Sequence, residues 1–130
     1  MKIRCVALLA SFSLASFGSL AADFDGSKPL ICATVEAHDC DSGMLCERSL
    51  PADIGAPQFL RVDFAKKVIV GARRATPIQF MDKLENQILL QGTELGFAWT
   101  IALDKEDGSM SATLVNRDEV FVLFGACTPM

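Results

Sequence analysis

The sequence is poor in the side chains on which enzymes and metal sites depend. It has a single histidine, His38, and no G-x-S-x-G segment of the kind that presents a nucleophilic serine. One imidazole cannot supply the two or three histidines of a common metal site, and it has no recognisable nucleophile to activate. We therefore predict no catalytic residues, no cofactor and no metal ion. We interpret His38 as a solvated loop residue beside Asp39.

Sequence patterns for metal binding are also incomplete. Residues 39–43 begin like a calcium loop, but the glycine stands fifth instead of sixth and the twelfth position is Leu50 instead of glutamate. Residues 104–108 show the same glycine offset, and a hairpin turn explains them better. The cysteines lack the C-x-x-C spacing of a structural zinc site. These segments therefore favour turns and disulfides over metal ligands.

Positive charge is scarce as well. The chain has 12 lysines and arginines against 16 acidic residues. Lys2 and Arg4 belong to the export signal described next, so the mature domain keeps ten basic residues and has a net charge of −6. Nucleic acids and anionic lipids both bind basic protein surfaces. We therefore predict neither of them as a partner.

The first 22 residues have the layout of a cleavable signal peptide. A short basic head precedes an apolar run from Val6 to about Leu20, and Ala21 and Ala22 are suitable for cleavage. The run is shorter than the ~20 strongly apolar residues of a membrane span and is followed by Asp23. The sequence predicts a periplasmic or secreted protein with a single domain, residues 23–130, and no membrane span in its mature form.

Four cysteines remain in the mature chain. In an oxidising compartment an even number predicts two disulfides, for which three connectivities exist. We favour Cys40–Cys46, because the intervening Asp-Ser-Gly forms turns readily. We also favour Cys32–Cys127, which would join the first strand to the last. It would close a loop of about 95 residues, worth about 4–5 kcal/mol in the chain-entropy treatment.

Apolar and polar residues alternate with a period of two over most of the chain. The clearest strand covers residues 97–103, where large side chains take every second position. Segment 23–57 is irregular and proline-containing, with a strand candidate at 30–36 and a helical turn at 49–55. Further strands are predicted at residues 59–64, 67–72, 77–82, 88–91, 110–114 and 120–124. We predict an all-β antiparallel barrel or sandwich of about seven to eight strands. In it, a disulfide-stapled segment (23–57) precedes a β meander (58–130).

Large apolar side chains provide two candidate binding surfaces. The last strand is apolar on both faces, so Phe121 and Leu123 would form a partner-binding patch unless other residues cover them. We favour the interpretation that the N-terminal segment lies across this face and covers it. Phe97, Trp99 and Ile101 share one face of their strand and would line a ligand pocket if the barrel is hollow, or fill the core if it is not.

Two basic pairs provide a third candidate surface. Lys66-Lys67 and Arg73-Arg74 flank the strand predicted at residues 67–72. Such charges usually keep an edge strand soluble. The functional alternative is a small basic patch for an acidic partner surface.

Several segments resemble small uncharacterised exported proteins of proteobacteria. The likeness rests on residues 92–99, 108–110 and 124–128, on the three cysteines near the mature N-terminus, and on the entry into the first long strand at residues 56–59. It covers most of the mature chain and implies no established activity. In architecture the chain is also similar to the periplasmic lysozyme inhibitors of the membrane-bound C-type family, which are small antiparallel barrels. That likeness implies inhibition of a protein, although this chain lacks the tyrosines of that family.

The leading functional hypothesis is an exported, non-catalytic module that binds or inhibits a protein or envelope component. The alternative is a β-barrel that binds a small apolar ligand, and a third hypothesis is a hydrolase without a recognisable motif. An empty cavity around Trp99 would favour the ligand carrier. A filled barrel with a clustered loop surface would favour the protein-binding module.

Overall fold

The computed structural model describes residues 23–43 and 45–130, and the predicted signal peptide lies outside these described residues. Over this part of the chain every regular element is a β-strand, as the alternation predicted. No helix among the described residues is long and apolar enough to cross a membrane. The strands are β1 (Leu30–Cys40), β2 (Glu47–Ser49), β3 (Phe59–Asp63), β4 (Val68–Val70), β5 (Ala75–Pro77), β6 (Phe80–Lys83), β7 (Gln87–Glu94), β8 (Phe97–Asp104), β9 (Ser109–Val115) and β10 (Val120–Pro129).

These strands form one antiparallel sheet that curls into a half-barrel. The order is β5-β4-β3-β1-β10-β9-β8-β7-β6, and β2 pairs with β1 outside this path. The two ends of the order, β5 and β6, are consecutive in the chain. Between them, the Ile78 N–H donates to the Lys67 carbonyl and the Gln79 N–H donates to the Gln91 carbonyl, each at 2.9 Å. The segment from β5 to β6 therefore bridges β4 and β7 and gives the sheet a barrel-like form.

Large apolar side chains fill the inside of the curled sheet. In β8 the residues Trp99, Ile101 and Leu103 are buried, and the small residues between them face outward. In the neighbouring β9, Met110 and Ala112 are buried on the same inner side. This arrangement confirms the face assignment that the alternation predicted for both strands.

The N-terminal strand differs from the sequence interpretation. β1 is longer than predicted and lies in the sheet between β10 and β3, with β2 beside its end. It does not lie across the outer face of β10. A β-bulge between Thr34 and Glu36 leaves Val35 as an extra residue, so the inward positions change phase from Thr34 to Ala37. A strict period of two cannot continue through such a bulge, which is why the predicted strand ended at residue 36.

Both favoured disulfides are confirmed. Cys32 and Cys127 are directly opposite each other in the β1–β10 register and are bonded. Cys40 and Cys46 are bonded and close the turn between β1 and β2. The first disulfide lies in the core, where both sulfur-bearing residues are buried.

The described residues form ten strands where about seven to eight were predicted, for two local reasons. The strand predicted at 77–82 is divided into β5 and β6 by Ile78 and Gln79, which change partner strands. The short β2 was not predicted, because its three residues Glu47–Ser49 have no apolar alternation. The segment that follows β2 makes consecutive turns, with the Gly55 N–H donating to the Ala52 carbonyl at 3.1 Å.

Candidate functional site

The structure buries the two apolar residues of the proposed patch on the last strand. Phe121 is 9% exposed and Leu123 is 4% exposed, and both point into the core. This part of the sequence interpretation was therefore wrong. Because β10 is apolar on both faces, the sequence did not show which face points outward; the outward residues include Val122 and Phe124.

The basic pairs lie in two turns at opposite ends of β4. Lys66 and Lys67 belong to the β3–β4 turn, whereas Arg73 and Arg74 belong to the β4–β5 turn, and all four side chains are exposed. The structure does not bring them next to Phe121 and Leu123. The Arg74 Nε lies 3.8 Å from the Glu94 carboxylate, which partly neutralises the second pair.

Two of the three possible ligand-lining residues, Trp99 and Ile101, belong to the core, and Phe97 is half-buried. Trp99 is 7% and Ile101 is 5% exposed, and the Phe97 ring packs against that of Phe121 with centroids 5.8 Å apart. The indole N–H of Trp99 is buried without a hydrogen-bond partner among the described residues. The two best-defined depressions of the described surface lie near the N-terminal segment and the 84–86 and 104–106 turns, and none of these three side chains lines them.

The most distinctive surface of the described structure surrounds the β1 bulge. Four large apolar side chains lie there on the outside of the sheet and remain solvent-exposed: Val35 (68%), Leu50 (63%), Phe59 (54%) and Phe124 (43%). Val35 is the bulged residue, Leu50 directly follows β2, Phe59 starts β3, and Phe124 lies opposite the residue that follows the bulge. We call these four residues the bulge patch. Exposed apolar clusters of this kind mark interaction surfaces more often than single exposed residues do.

A polar cluster borders the bulge patch on one side. The Glu36 carboxylate accepts hydrogen bonds from His38 Nε2 at 2.7 Å and from Arg48 Nη2 at 2.9 Å. The His38 ring meets the Phe124 ring edge-on, with centroids 6.0 Å apart. The hydrogen bond from His38 and the nearby Arg48 charge lower the pKa of Glu36. They outweigh desolvation, which acts to raise it. His38 is therefore a strand residue paired with Glu36, and its predicted role as a loop residue beside Asp39 was wrong.

Arg61 borders the bulge patch on the other side. It lies on the outer side of β3, two residues after Phe59, and its register partners are Ile31 on β1 and Val70 on β4. The residue is half-buried, and its Nε is buried without a hydrogen-bond partner among the described residues. The guanidinium in this position has unpaired N–H donors that could bind an acceptor group of a ligand.

No protein family, curated protein or solved structure matches this chain.

The bulge patch and its borders combine exposed apolar side chains with a few charged and polar groups. The ionisable groups of the polar cluster, a carboxylate, an imidazole and a guanidinium, bond to one another, whereas the hydroxyl groups of Thr34 and Ser49 donate to backbone carbonyls. No group of three or more histidine, cysteine or acidic side chains within the described ranges could hold a metal ion. Aromatic and arginine side chains are enriched in protein–protein interfaces.

Sequence reasoning missed the bulge patch, because its members come from four separate segments of the chain. Only the β1 register brings Val35, Phe59 and Phe124 together. One signal was available: the apolar phase set by Leu30 and Cys32 does not continue to Ala37, which indicates an inserted residue near Val35.

Proposed function

We propose that the protein is a non-catalytic binding module that engages a protein of the cell envelope through the bulge patch. The observation that carries this proposal is the exposure of four large apolar side chains around one bulge. Leaving such side chains in water costs free energy that burial against a partner would recover, at about 25 cal/mol per Å². The stability of the fold therefore does not explain why these four apolar side chains lie together on the surface.

The cellular location in this proposal is the periplasm or the exterior. Two disulfides are typical of proteins outside the cytoplasm. The signal peptide predicted at residues 1–22 would direct the chain there. If the partner is an enzyme, a module that covers its surface would inhibit it, which is what the architectural resemblance to lysozyme inhibitors implies.

The small-ligand alternative has weaker support. Trp99 and Ile101 pack within the core instead of bordering a cavity. A carrier needs a concave, mostly apolar pocket of a few hundred Å³. The depression beside Lys83 measures only about 140 Å³, and the larger one beside Asn86, about 550 Å³, is lined by polar and charged residues instead of apolar ones.

Affinity capture from an envelope extract tests the proposal. The disulfide-bonded mature protein serves as bait, and mass spectrometry identifies what it retains. The double variant Val35→Ser/Phe59→Ser should lose retained proteins, because it removes two exposed anchors without creating a core cavity. The matched control Phe80→Ser/Leu84→Ser removes an exposed aromatic and an exposed aliphatic side chain elsewhere, 50% and 39% exposed in the native protein. Equal retention by the two double variants would contradict the proposal.

A further inference from the structure

Arg61 is a cation on the outer surface with no anionic partner in the described part of the chain. No acidic side chain there lies within 4.0 Å of its guanidinium, whereas Lys28, Arg48, Arg74 and Arg117 each have one. Its aliphatic stem lies between Ile31 and Val70 on the neighbouring strands. Its partial burial between two strands distinguishes Arg61 from Lys66, Lys67 and Arg73, which also lack an acidic partner but are exposed in turns.

Two acids flank Arg61 and the bulge patch, and both accept hydrogen bonds from other groups. Asp63, the next outward residue on β3, accepts a hydrogen bond from the Lys66 backbone N–H at 3.0 Å. Glu36 already accepts bonds from His38 and Arg48. The Arg61 guanidinium makes no hydrogen bond among the described residues, and Nε is its only nitrogen found buried and unpaired. The two terminal nitrogens are therefore accessible and unpaired next to an exposed apolar patch, where an acceptor supplied from outside can reach them.

We propose that Arg61 is the specificity-determining residue of the bulge patch and pairs with a carboxylate of the partner. This inference rests on the proposed function. The partner segment then carries an apolar side chain that packs on Phe59. It also carries an acidic group that reaches Arg61, two residues further along β3. Carboxylates match the planar fork of the guanidinium and form two parallel hydrogen bonds with it. Such a charged contact selects among apolar partners, because a partner without the acid leaves Arg61 unpaired.

A peptide titration followed by NMR tests this pairing directly. The probes are N-acetyl-leucyl-aspartate amide, the isosteric N-acetyl-leucyl-asparagine amide, N-acetyl-leucine and inorganic phosphate. We expect the aspartate peptide to shift the Arg61 Nε–Hε signal and the Phe59 amide signal with saturation, and the asparagine peptide to bind at least tenfold more weakly. N-acetyl-leucine carries only a terminal carboxylate, so its affinity relative to the aspartate peptide distinguishes a chain terminus from an acidic side chain.

Variants separate pairing from packing. Arg61→Gln should lower the affinity for the aspartate peptide at least tenfold, and Arg61→Lys should retain part of it, because charge remains but the fork is lost. The control Arg73→Gln removes an exposed arginine outside the patch and should bind like the wild type. Equal binding of the aspartate and asparagine peptides, unchanged binding by Arg61→Gln, or shifts caused by phosphate as strongly as by the peptide would each overturn the inference.

The capture experiment distinguishes this inference from the proposed function. If Val35→Ser/Phe59→Ser loses the retained protein while Arg61→Gln keeps it, the patch binds its partner without a carboxylate and only the present inference fails. If neither variant changes what is retained, the proposed function fails as well. Thermal unfolding of Arg61→Gln within a few degrees of the wild type would show that its loss of binding is not a loss of folding.

Discussion

Trp99 is the residue at which a ligand pocket and a core give opposite expectations. It is 93% buried beside Gly92, where a side chain of any size would collide with the indole. Trp99→Ala should therefore leave a cavity and cost about 3–5 kcal/mol. Thr100→Ala is the matched control on the outer side, where it loses only an exposed hydrogen bond from Gln91 Nε2 at 3.2 Å. Circular dichroism melting curves of both variants provide the measurement. A Trp99→Ala protein that melts within two degrees or so of the wild type would contradict the core assignment and favour the ligand carrier.

Leu95 occupies an unusual backbone conformation at the tip of the β7–β8 hairpin. Its φ is 50° and that of Gly96 is 82°, the pattern of a two-residue turn that prefers Asn-Gly. The left-handed region costs a bulky L-residue about 1–2 kcal/mol, and the Leu95 side chain is 76% exposed, so burial offsets little of this. Leu95→Asn should therefore raise the melting temperature by about 4 °C or more. Leu84→Asn replaces an exposed leucine that is not at a positive φ and should give no increase. A lower melting temperature for Leu95→Asn would mean that the leucine makes stabilising contacts.

The strand pair β1–β10 depends on a close backbone approach next to the bulge. A Cβ on Gly125 would overlap the Ala33 carbonyl oxygen and lie 3.0 Å from Met110 Cε. Gly125→Ala should therefore force the two strands apart and destabilise the protein by about 1–3 kcal/mol. Gly71→Ala is the control, because the nearest atom to its Cβ would be at an ordinary 3.6 Å. Urea unfolding of both variants measures the difference, and equal midpoints would show that the strands accommodate the extra methyl group.

Strands with one solvent-exposed face and one buried face were predictable from the sequence, and the other strands were not. β8 followed from sequence because its large and small residues alternate without interruption. β10 was located correctly, but both of its faces are apolar, so its inward face could not be identified. Phe121 was therefore assigned to the outer face, under the N-terminal segment, although it lies in the core. The bulge patch depends on strand register, which sequence alone does not determine when a bulge shifts the phase. The candidate site was therefore beyond the sequence for a physical reason: its members are neighbours only in the folded sheet.

Two disulfides crosslink the described residues. One joins the first and last long strands, and the other closes a short loop between β1 and β2. Cys32 and Cys127 are 95 residues apart in sequence, whereas Cys40 and Cys46 are six apart. In the chain-entropy treatment, the long loop contributes about 4–5 kcal/mol and the short loop about 2 kcal/mol, because closing a longer loop removes more unfolded-state freedom. A domain of this size has a total stability of about 5–15 kcal/mol, so loss of the first disulfide is a large fraction of the whole.

Paired alanine variants test this ranking. Cys32→Ala/Cys127→Ala should lower the free energy of unfolding by about twice as much as Cys40→Ala/Cys46→Ala, and burial of the first disulfide adds a small cavity term to that loss. Denaturant titrations of the oxidised wild type and both double variants give the values. A thiol assay under denaturing, non-reducing conditions should find no free thiol in the mature wild type and none in either variant. If removal of the short loop is the more damaging change, the turn between β1 and β2 contributes more than its loop length indicates. The bulge patch, which lies between that turn and β3, would then depend on the Cys40–Cys46 link for its shape.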